Sequence, residues 1–262
     1  MAGDRGGEMS DDIAIAFGRI AEQAGREIMR HYKTGAAPRL KDDMTPVTAA
    51  DVAAEAIILP ALAALLPDLP CVAEEAVSIG QVPDIDPEGR FLLVDPLDGT
   101  REFLVRNGEF TVNIALIEAG RPILGVVHLP ALGTTYIGGP EGATLATAGG
   151  APQSIHARPK PADGVIVLAS RAHNQNDVME RFLEGERVAE RIAAGSSLKF
   201  CRLAEGIADL YPRFGRTMEW DTAAGHAVLA AAGGSVRLVT GEPLRYGKPD
   251  FVNPDFIARG RW

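Results

Sequence analysis

The sequence predicts an α/β protein, with helices and paired strands mixed in its first half and strand alternating with helix in its second half. Three observations support this: an amphipathic helical pattern between Ile13 and Ile28, two β-branched runs joined by turn residues between 111 and 129, and strand-helix alternation after Val165. We therefore expect an α+β half over residues 1–150 and an α/β half over residues 151–262.

Two helices are predicted near the N-terminus. Apolar residues recur at spacings of three and four, at Ile13, Phe17, Ile20, Ala24 and Ile28. This period predicts an amphipathic helix with Ser10 as its cap. After a polar, turn-rich segment over residues 35–46, a second helix is expected from Thr48 towards Leu66. It should be bent or split at Pro60, because proline lacks the amide hydrogen that a helix interior uses.

Strands are predicted next. Residues 91–94 form a short apolar run that ends in the turn Asp95-Pro96-Leu97-Asp98-Gly99-Thr100. The runs 111–117 and 123–129 are expected to pair as an antiparallel hairpin, because residues 118–122 between them have turn chemistry. The segment 138–161 is rich in Gly, Ala and Pro and predicts the junction between the halves.

The second half is expected to alternate strand and helix. The predicted elements, in order, are a strand at 165–169, a helix whose first part is 177–182, a helix at 196–206, a strand at 208–211, a helix at 221–232 and a strand at 236–239.

Composition limits the classes of partner. Of 262 residues, 46% are hydrophobic, and 26 Lys and Arg against 35 Asp and Glu give a formal charge of −9. An acidic protein is a poor match for nucleic acid or an anionic membrane surface. Cys71 and Cys201 form no metal-type pair and fit a reducing cytoplasm. No signal peptide and no transmembrane segment are predicted.

Acidic residues recur beside turns and helix starts, at Asp51, Glu74, Glu75, Asp95, Asp98 and Asp221. Each has a structural alternative: Asp51 with Thr48 could be a capping box, Asp221 could cap a helix, and the others could be turn or surface residues. Together they suggest a site for a hard cation such as Mg²⁺, which prefers carboxylate and carbonyl oxygens and is often completed by phosphate.

The turn over residues 95–100 suits such a site. Pro96 fixes one backbone dihedral angle, which could aim Asp95, the Leu97 carbonyl and Asp98 at one point. Gly99 allows close approach of the backbone to a phosphate oxygen. The five histidines have no zinc-ligand spacing, and no nucleophile motif or phosphate-binding glycine loop is present, so a covalent phosphoenzyme is not expected.

Three motifs in order, Glu74-Glu75, the turn at 95–100 and Trp220-Asp221-Thr222-Ala223-Ala224-Gly225, resemble those of the lithium-sensitive, magnesium-dependent phosphatases. This family includes inositol monophosphatase and fructose-1,6-bisphosphatase, and the resemblance covers residues 13–254. Within it, Thr100-Arg101-Glu102-Phe103 and the segments 107–116, 195–201 and 211–214 resemble the 3'(2'),5'-bisphosphate nucleotidase branch.

The resemblance implies a layered α-β-α-β-α sandwich with the active site between the halves. It implies metal ligation by Glu74, Asp95, the Leu97 carbonyl, Asp98 and Asp221, with two or three Mg²⁺ ions. It assigns Asp51 and Thr100 to orienting the attacking water, with Glu74 as a further catalytic residue. Substrate contacts are implied for Leu97, Gly99, Thr100, Ser196, Lys199, Arg213 and Asp221, where Ser196, Lys199 and Arg213 hold a second phosphate. On spacing alone, the segment 195–199 could equally be a helix start with a solvated lysine.

The implied reaction is hydrolysis of adenosine 3',5'-bisphosphate, a small-molecule substrate, to AMP and phosphate. Alternatives are hydrolysis of inositol-1-phosphate, fructose-1,6-bisphosphate or histidinol phosphate, or a catalytically silent nucleotide or metal sensor. Ser170 to His173 either borders the nucleoside or is a surface loop. The expected location is the cytoplasm; peripheral association with the inner membrane and a homodimer are left open.

Overall fold

The structure is a computed structural model, and it describes residues 5–35, 39–40, 46–170 and 176–262. Within these ranges the helices are α1 (Arg5–Thr34), α2 (Ala49–Leu65), α3 (Glu74–Ser78), α4 (Thr100–Val105), α5 (Asn176–Leu183), α6 (Leu198–Ala204) and α7 (Ala223–Ala231). The strands are β1 (Arg39–Leu40), β2 (Pro46–Val47), β3 (Cys71–Ala73), β4 (Arg90–Asp98), β5 (Thr111–Glu118), β6 (Arg121–Leu129), β7 (Thr134–Gly139), β8 (Gly142–Thr147), β9 (Gln153–Ile155), β10 (Val165–Ala169), β11 (Val188–Ala193), β12 (Leu210–Arg213), β13 (Thr217–Met218), β14 (Ser235–Leu238), β15 (Val252–Asn253) and β16 (Phe256–Arg259). None of the described helices is long and apolar enough to cross a membrane.

Helices and sheets stack in five layers. Helices α1 and α2 cover one face of a seven-stranded sheet with the order β3-β4-β5-β6-β7-β8-β9. Helices α6 and α7 lie between that sheet and a five-stranded sheet with the order β11-β10-β12-β16-β14. Helix α5 packs on the outer face of the second sheet. The layered α-β-α-β-α sandwich is confirmed, and α7 is Ala-rich because it is buried between two sheets and needs no polar face.

The N-terminal helices follow the apolar period, with differences at their ends. Helix α1 buries Phe17 and Ile28 as predicted, but it begins at Arg5, so the predicted cap at Ser10 is wrong. Helix α2 is capped by Thr48 and continues through Pro60 without being split. Of the turn-rich segment 35–46, the structure describes residues 35, 39–40 and 46, which include the short antiparallel pair β1 and β2.

The predicted hairpin is confirmed as β5 and β6. Glu118 pairs with Arg121, and the two loop residues Ala119 and Gly120 both have positive φ. This is the conformation of a two-residue turn whose twist matches the right-handed twist of the flanking strands. The tight turn pairs β5 with β6, and the other edge of β5 pairs with β4, which ends at the predicted metal turn.

The segment predicted as a junction contains more structure than expected. Residues 138–161 include the end of β7, all of β8 and all of β9, which extend the first sheet to Ile155. Large apolar side chains are not required in these strands, because backbone hydrogen bonds to a neighbouring strand hold an edge in place. The boundary at residue 150 stays a prediction, although β9 lies beyond it.

The second half alternates strand and helix in a mixed sheet. The predicted strands and helices correspond to β10, α5, α6, β12, α7 and β14, with ends that differ by a few residues. Strands β10, β11 and β12 are parallel, whereas β16 is antiparallel to its neighbours β12 and β14. Strand β11 was not predicted, because Glu190 and Arg191 on this edge are exposed and break the apolar pattern.

Candidate active site

A cavity of about 290 Å³ lies where β4 ends and where α4, α6 and α7 begin. It brings together eight residues predicted from the sequence: Glu74, Asp98, Gly99, Thr100, Ser196, Lys199, Arg213 and Asp221. Asp51, Asp95 and Leu97 are buried and are not part of the lining. The remaining lining includes Arg101, Glu102, Ser170, Tyr211 and Arg216, for which the sequence suggested no definite role.

The turn at 95–100 is shaped by a local hydrogen bond and a glycine. The Leu97 amide donates to Asp95 Oδ1 at 3.0 Å. The pairing of β4 with β5 shifts register between Asp95 and Asp98, so the chain bulges there. Gly99 has a φ of 90°, and a Cβ at this position would lie 3.2 Å from the Ser196 Cβ. Glycine therefore lets the turn adopt a left-handed conformation and approach the loop that carries Ser196.

Four carboxyl groups, those of Glu74, Asp95, Asp98 and Asp221, interact electrostatically beside the cavity. Burial, then repulsion from Glu74, Asp98 and Asp221, raises the pKa of Asp95 well above its ordinary value. Burial, then repulsion from Asp98 and Glu74, also raises the pKa of Asp221 well above the ordinary value. Burial raises the pKa of Asp98 to about 6, although Lys199 opposes the shift. A cation would relieve this repulsion.

The donor set fits an open magnesium site. In the described part of the chain, no three carboxylate, imidazole or thiol side chains surround a point closely enough to hold a metal ion by themselves. Magnesium is usually held by one or two carboxylates, several waters and substrate phosphates. Glu74, Asp95, Asp98, Asp221 and the Leu97 carbonyl are the groups that would hold it, and this ligand assignment stays a prediction.

Asp51 completes the capping box of α2 and also contacts Thr100. Its Oδ2 accepts hydrogen bonds from the Thr48 amide at 2.8 Å and the Thr48 hydroxyl at 2.7 Å, which completes the capping box of α2. Its Oδ1 accepts from the Thr100 hydroxyl at 3.3 Å. Burial raises the pKa of Asp51, and the charge of Glu74 raises it further. The cap thus holds a buried carboxylate against Thr100.

Ser197 links three parts of the site, and the sequence analysis missed it. Its amide donates to Asp98 Oδ2 at 2.6 Å, and its hydroxyl donates to the Asp221 carbonyl at 2.7 Å. The same hydroxyl accepts from Asn113 Nδ2 at 2.9 Å. Ser197 is therefore positioned to fix the distance between Asp98 and the start of α7. The only sequence signal was its place in the segment 195–201.

The cationic wall of the cavity is built from buried groups. Lys199 is 5% exposed, and its Nζ donates to the carbonyls of Ala194 and Ser196 at 3.2 and 2.7 Å. Burial lowers the pKa of Lys199 to about 8, and the charge of Asp98 acts in the opposite direction. Arg213 is 7% exposed and donates to the Arg216 carbonyl at 3.1 Å. The alternative of a solvated lysine at 199 is therefore wrong.

Other predicted residues have structural roles or lie outside the described ranges. Phe103, Phe110 and Trp220 are buried in the core. Glu75 is buried, and its amide donates to Glu55 Oε2 at 2.9 Å, which anchors the start of α3 beside Glu74. Residues 171–173, which were considered as neighbours of a nucleoside, lie outside the described residues, whereas Ser170 lines the cavity.

The fold and this acid-lined cavity define a phosphatase of the metal-dependent class, and the chain belongs to the inositol monophosphatase family, whose model matches residues 8–260. Over 250 residues it is 46% identical to the 3'(2'),5'-bisphosphate nucleotidase CysQ of Escherichia coli O157:H7, covering 91% of this chain and 96% of that protein. It is also 46% identical, over 242 residues, to the protein of the same name from Salmonella typhimurium, with the same coverage of 91% and 96%.

Solved structures show the same architecture. The crystal structure of CysQ from Bacteroides thetaiotaomicron matches with a TM-score of 0.77 and 34% identity, covering 96% of this chain and 98% of that chain. The inositol monophosphatase from Anabaena matches with a TM-score of 0.76 and 24% identity, covering 96% and 92% of the two chains. The second likeness shows the fold alone.

Proposed function

We propose that this protein is a magnesium-dependent phosphatase that removes the 3'-phosphate of adenosine 3',5'-bisphosphate and yields AMP and phosphate. The observation that carries the proposal is the union, in one cavity, of a carboxylate cluster and two buried cations, Lys199 and Arg213. A substrate with two phosphates would contact both groups. The nucleotidase names of the relatives with 46% identity support the same substrate.

Lys199 and Arg213 would hold the phosphate that is not cleaved. Arginine offers a planar fork of donors and lysine a compact charge, and both bind phosphate strongly when they are buried. Ser196, held with a positive φ of 43° and donating its hydroxyl to the Glu109 carbonyl at 2.8 Å, forms the adjoining wall. Lys199 and Arg213 also keep a charge of opposite sign beside Asp98 and Asp221.

Hydrolysis would occur at the carboxylate cluster, beside Thr100 and Asp51. Because the Thr100 hydroxyl donates to Asp51, its oxygen lone pairs can accept a hydrogen bond from the attacking water, and the raised pKa of Asp51 suits it to receive a proton. Glu74, at the first turn of α3, lies beside the same groups. When bound, two or three magnesium ions would supply activation of water and neutralise charge on the phosphoryl group.

Phosphate release from a substrate panel tests this function. Purified protein with magnesium is given adenosine 3',5'-bisphosphate, inositol-1-phosphate, fructose-1,6-bisphosphate and histidinol phosphate, with EDTA as the control. We expect the highest kcat/KM for the adenosine bisphosphate and no release in EDTA. Preference for another substrate would refute the assignment to a nucleotide, and no release from any substrate would favour a silent sensor. The cytoplasmic location stays a prediction, and the oligomeric state stays open to measurement by gel filtration.

A further inference from the structure

A second cavity, of about 490 Å³, lies between α1 and the ends of β6, β7 and β8. None of the residues that line it belongs to the lining of the active-site cavity. Its polar side chains are Glu22, Arg26 and Lys33 from α1 with His128, Thr135 and Thr147 from the sheet. The function proposed above uses none of these groups, so the cavity requires a separate explanation.

His128 lines this cavity, and a hydrogen bond at Nδ1 defines the tautomer of its ring. The Thr135 hydroxyl donates to Glu22 Oε1 at 3.3 Å, so it accepts at its oxygen from His128 Nδ1, 2.9 Å away. This assigns the proton of a neutral imidazole to Nδ1 and leaves a lone pair on Nε2. Burial lowers the pKa of His128 to about 4, a backbone hydrogen bond with Thr134 opposes this shift, and the charge of Arg26 adds to it, so the ring is neutral at pH 7. His128 is therefore a hydrogen-bond acceptor in the wall of the cavity.

The helix backbone is fitted closely to this ring. A Cβ at Gly25 would lie 2.6 Å from both His128 Nε2 and Cδ2, and 3.2 Å from Pro130 Cγ. Any larger residue would push the imidazole aside, so the absence of a side chain at 25 sets the position of His128. The close fit at Gly25 therefore fixes the imidazole in the wall of the cavity.

Two cations of α1 line the same cavity as His128, on a protein with a negative formal charge. Arg26 and Lys33 are seven residues apart, which places them on one face of α1, and both line the cavity. Glu22 is the only acid among the lining residues, and its carboxylate accepts the Thr135 hydrogen. The lining therefore carries a local excess of positive charge, although the chain has a formal charge of −9.

We propose that this cavity binds a small organic phosphate, with the phosphate dianion held by Arg26 and Lys33 and a neutral hydroxyl or amide hydrogen donated to His128 Nε2. A pair of cations matches a phosphate ligand with two negative charges better than it matches a carboxylate ligand with one. The apolar surface of Met29 and Pro130 would cover the carbon atoms between the two polar groups. The proposal goes beyond the phosphatase reaction and is independent of its substrate.

Histidine ring ¹⁵N NMR with glycerol 3-phosphate as the probe tests the proposal. Metal-free full-length protein is titrated in EDTA, so that no turnover occurs. The Nε2 resonance of His128 is expected to shift in a saturable manner as its lone pair accepts the hydroxyl hydrogen. Methyl phosphate, which has the charge but no hydroxyl, is expected to leave this resonance nearly unchanged.

Variants assign the shift to this cavity. The double variant Arg26→Ala/Lys33→Ala is expected to weaken the apparent affinity by about tenfold or more. Arg30→Ala removes a neighbouring cation that is 79% exposed and pairs with Glu27, so it should bind as the wild type does. Arg213→Ala, in the other cavity, should also leave the His128 shift intact. The proposal is wrong if His128 does not respond, if the double variant binds like the wild type, or if Arg213→Ala abolishes the shift.

Discussion

Removing one carboxylate from the crowded site should destroy activity and stabilise the metal-free protein. Asp98→Asn is the sharpest test, because Asp98 lies between the carboxylates and Lys199 and accepts the Ser197 amide. The amide side chain has the same shape but carries no charge. We expect almost no phosphate release at saturating magnesium and a higher melting temperature in EDTA.

The magnitude follows from the pKa. A folded-state pKa of about 6 in place of 3.8 means that ionised Asp98 costs about 3 kcal/mol of folding free energy. The folded-state pKa already includes the stronger hydrogen bond that the charged oxygen accepts from the Ser197 amide, and asparagine keeps a neutral oxygen for that amide. The gain is therefore about 3 kcal/mol, or about 6–12 °C in Tm for a chain of this size.

The sign of the pH dependence is equally defined. Because the pKa of Asp98 is raised in the folded state, its ionised form destabilises the wild type fully above about pH 6. This destabilisation decreases as Asp98 becomes protonated between about pH 6 and 4. The advantage of Asp98→Asn should therefore be full at pH 7.5 and absent near pH 4. Thermal and urea unfolding in EDTA measure the difference in stability between variant and wild type. The matched control is Asp84→Asn, because Asp84 is exposed. A variant that is no more stable than wild type at pH 7.5, or one that keeps wild-type turnover, would refute the reasoning.

Four further predictions concern the site. Arg213→Ala should lower kcat/KM for adenosine 3',5'-bisphosphate by about ten- to a hundredfold, because a charge-assisted contact to phosphate is worth about 1.5–3 kcal/mol; equal losses on inositol-1-phosphate would indicate a purely structural role. Thr100→Ala should lower kcat with little change in KM, and its combination with Asp51→Asn should cost less than the sum of the single losses; strict additivity would contradict a shared role. Ser197→Ala removes hydrogen bonds to the Asp221 carbonyl and from Asn113, and should raise the magnesium concentration for half-maximal rate about three- to tenfold at an unchanged fold, as judged by circular dichroism. Lithium should inhibit in a manner other than competitive with substrate, as the family resemblance implies, and unchanged rates at millimolar lithium would contradict that resemblance.

The fold could be predicted where one physical signal dominates. Helix α1 has a clear apolar stripe, and the hairpin of β5 and β6 has strong turn residues. Strands β8 and β9 escaped prediction because their small and polar residues, Gly, Ala and Thr in β8 and Gln and Ser in β9, are held by backbone pairing, which leaves little trace in the side-chain pattern. Edge strand β11 has polar residues that face solvent, and its partner β10 determines its register.

The site divides in the same way. The acidic residues follow from motifs that are contiguous in the chain, so the sequence identifies them. Ser197 and Asn113 depend on contacts between segments more than eighty residues apart. Asn113 pairs across β4 and β5 with Asp95, but only the docking of the segment at 195–197 brings it to the Ser197 hydroxyl. A hydrogen bond made by docking of the two sheets has no local signature.

Asp51 shows why a local interpretation and a functional one need not compete. A capping carboxylate has two oxygens, so hydrogen bonds at the helix start need not use both of them. In Asp51, the Thr48 amide and hydroxyl donate only to Oδ2. The helix start thereby fixes the direction of Oδ1, which accepts from Thr100 at the start of α4. Thr48 is therefore expected to act through Asp51: Thr48→Val should loosen the orientation of Oδ1 and lower kcat, whereas Thr48→Ser keeps the hydroxyl and should restore the wild-type rate. A stability loss in Thr48→Val with unchanged kcat would show that the cap supports only the helix, and that Asp51 is positioned by other contacts.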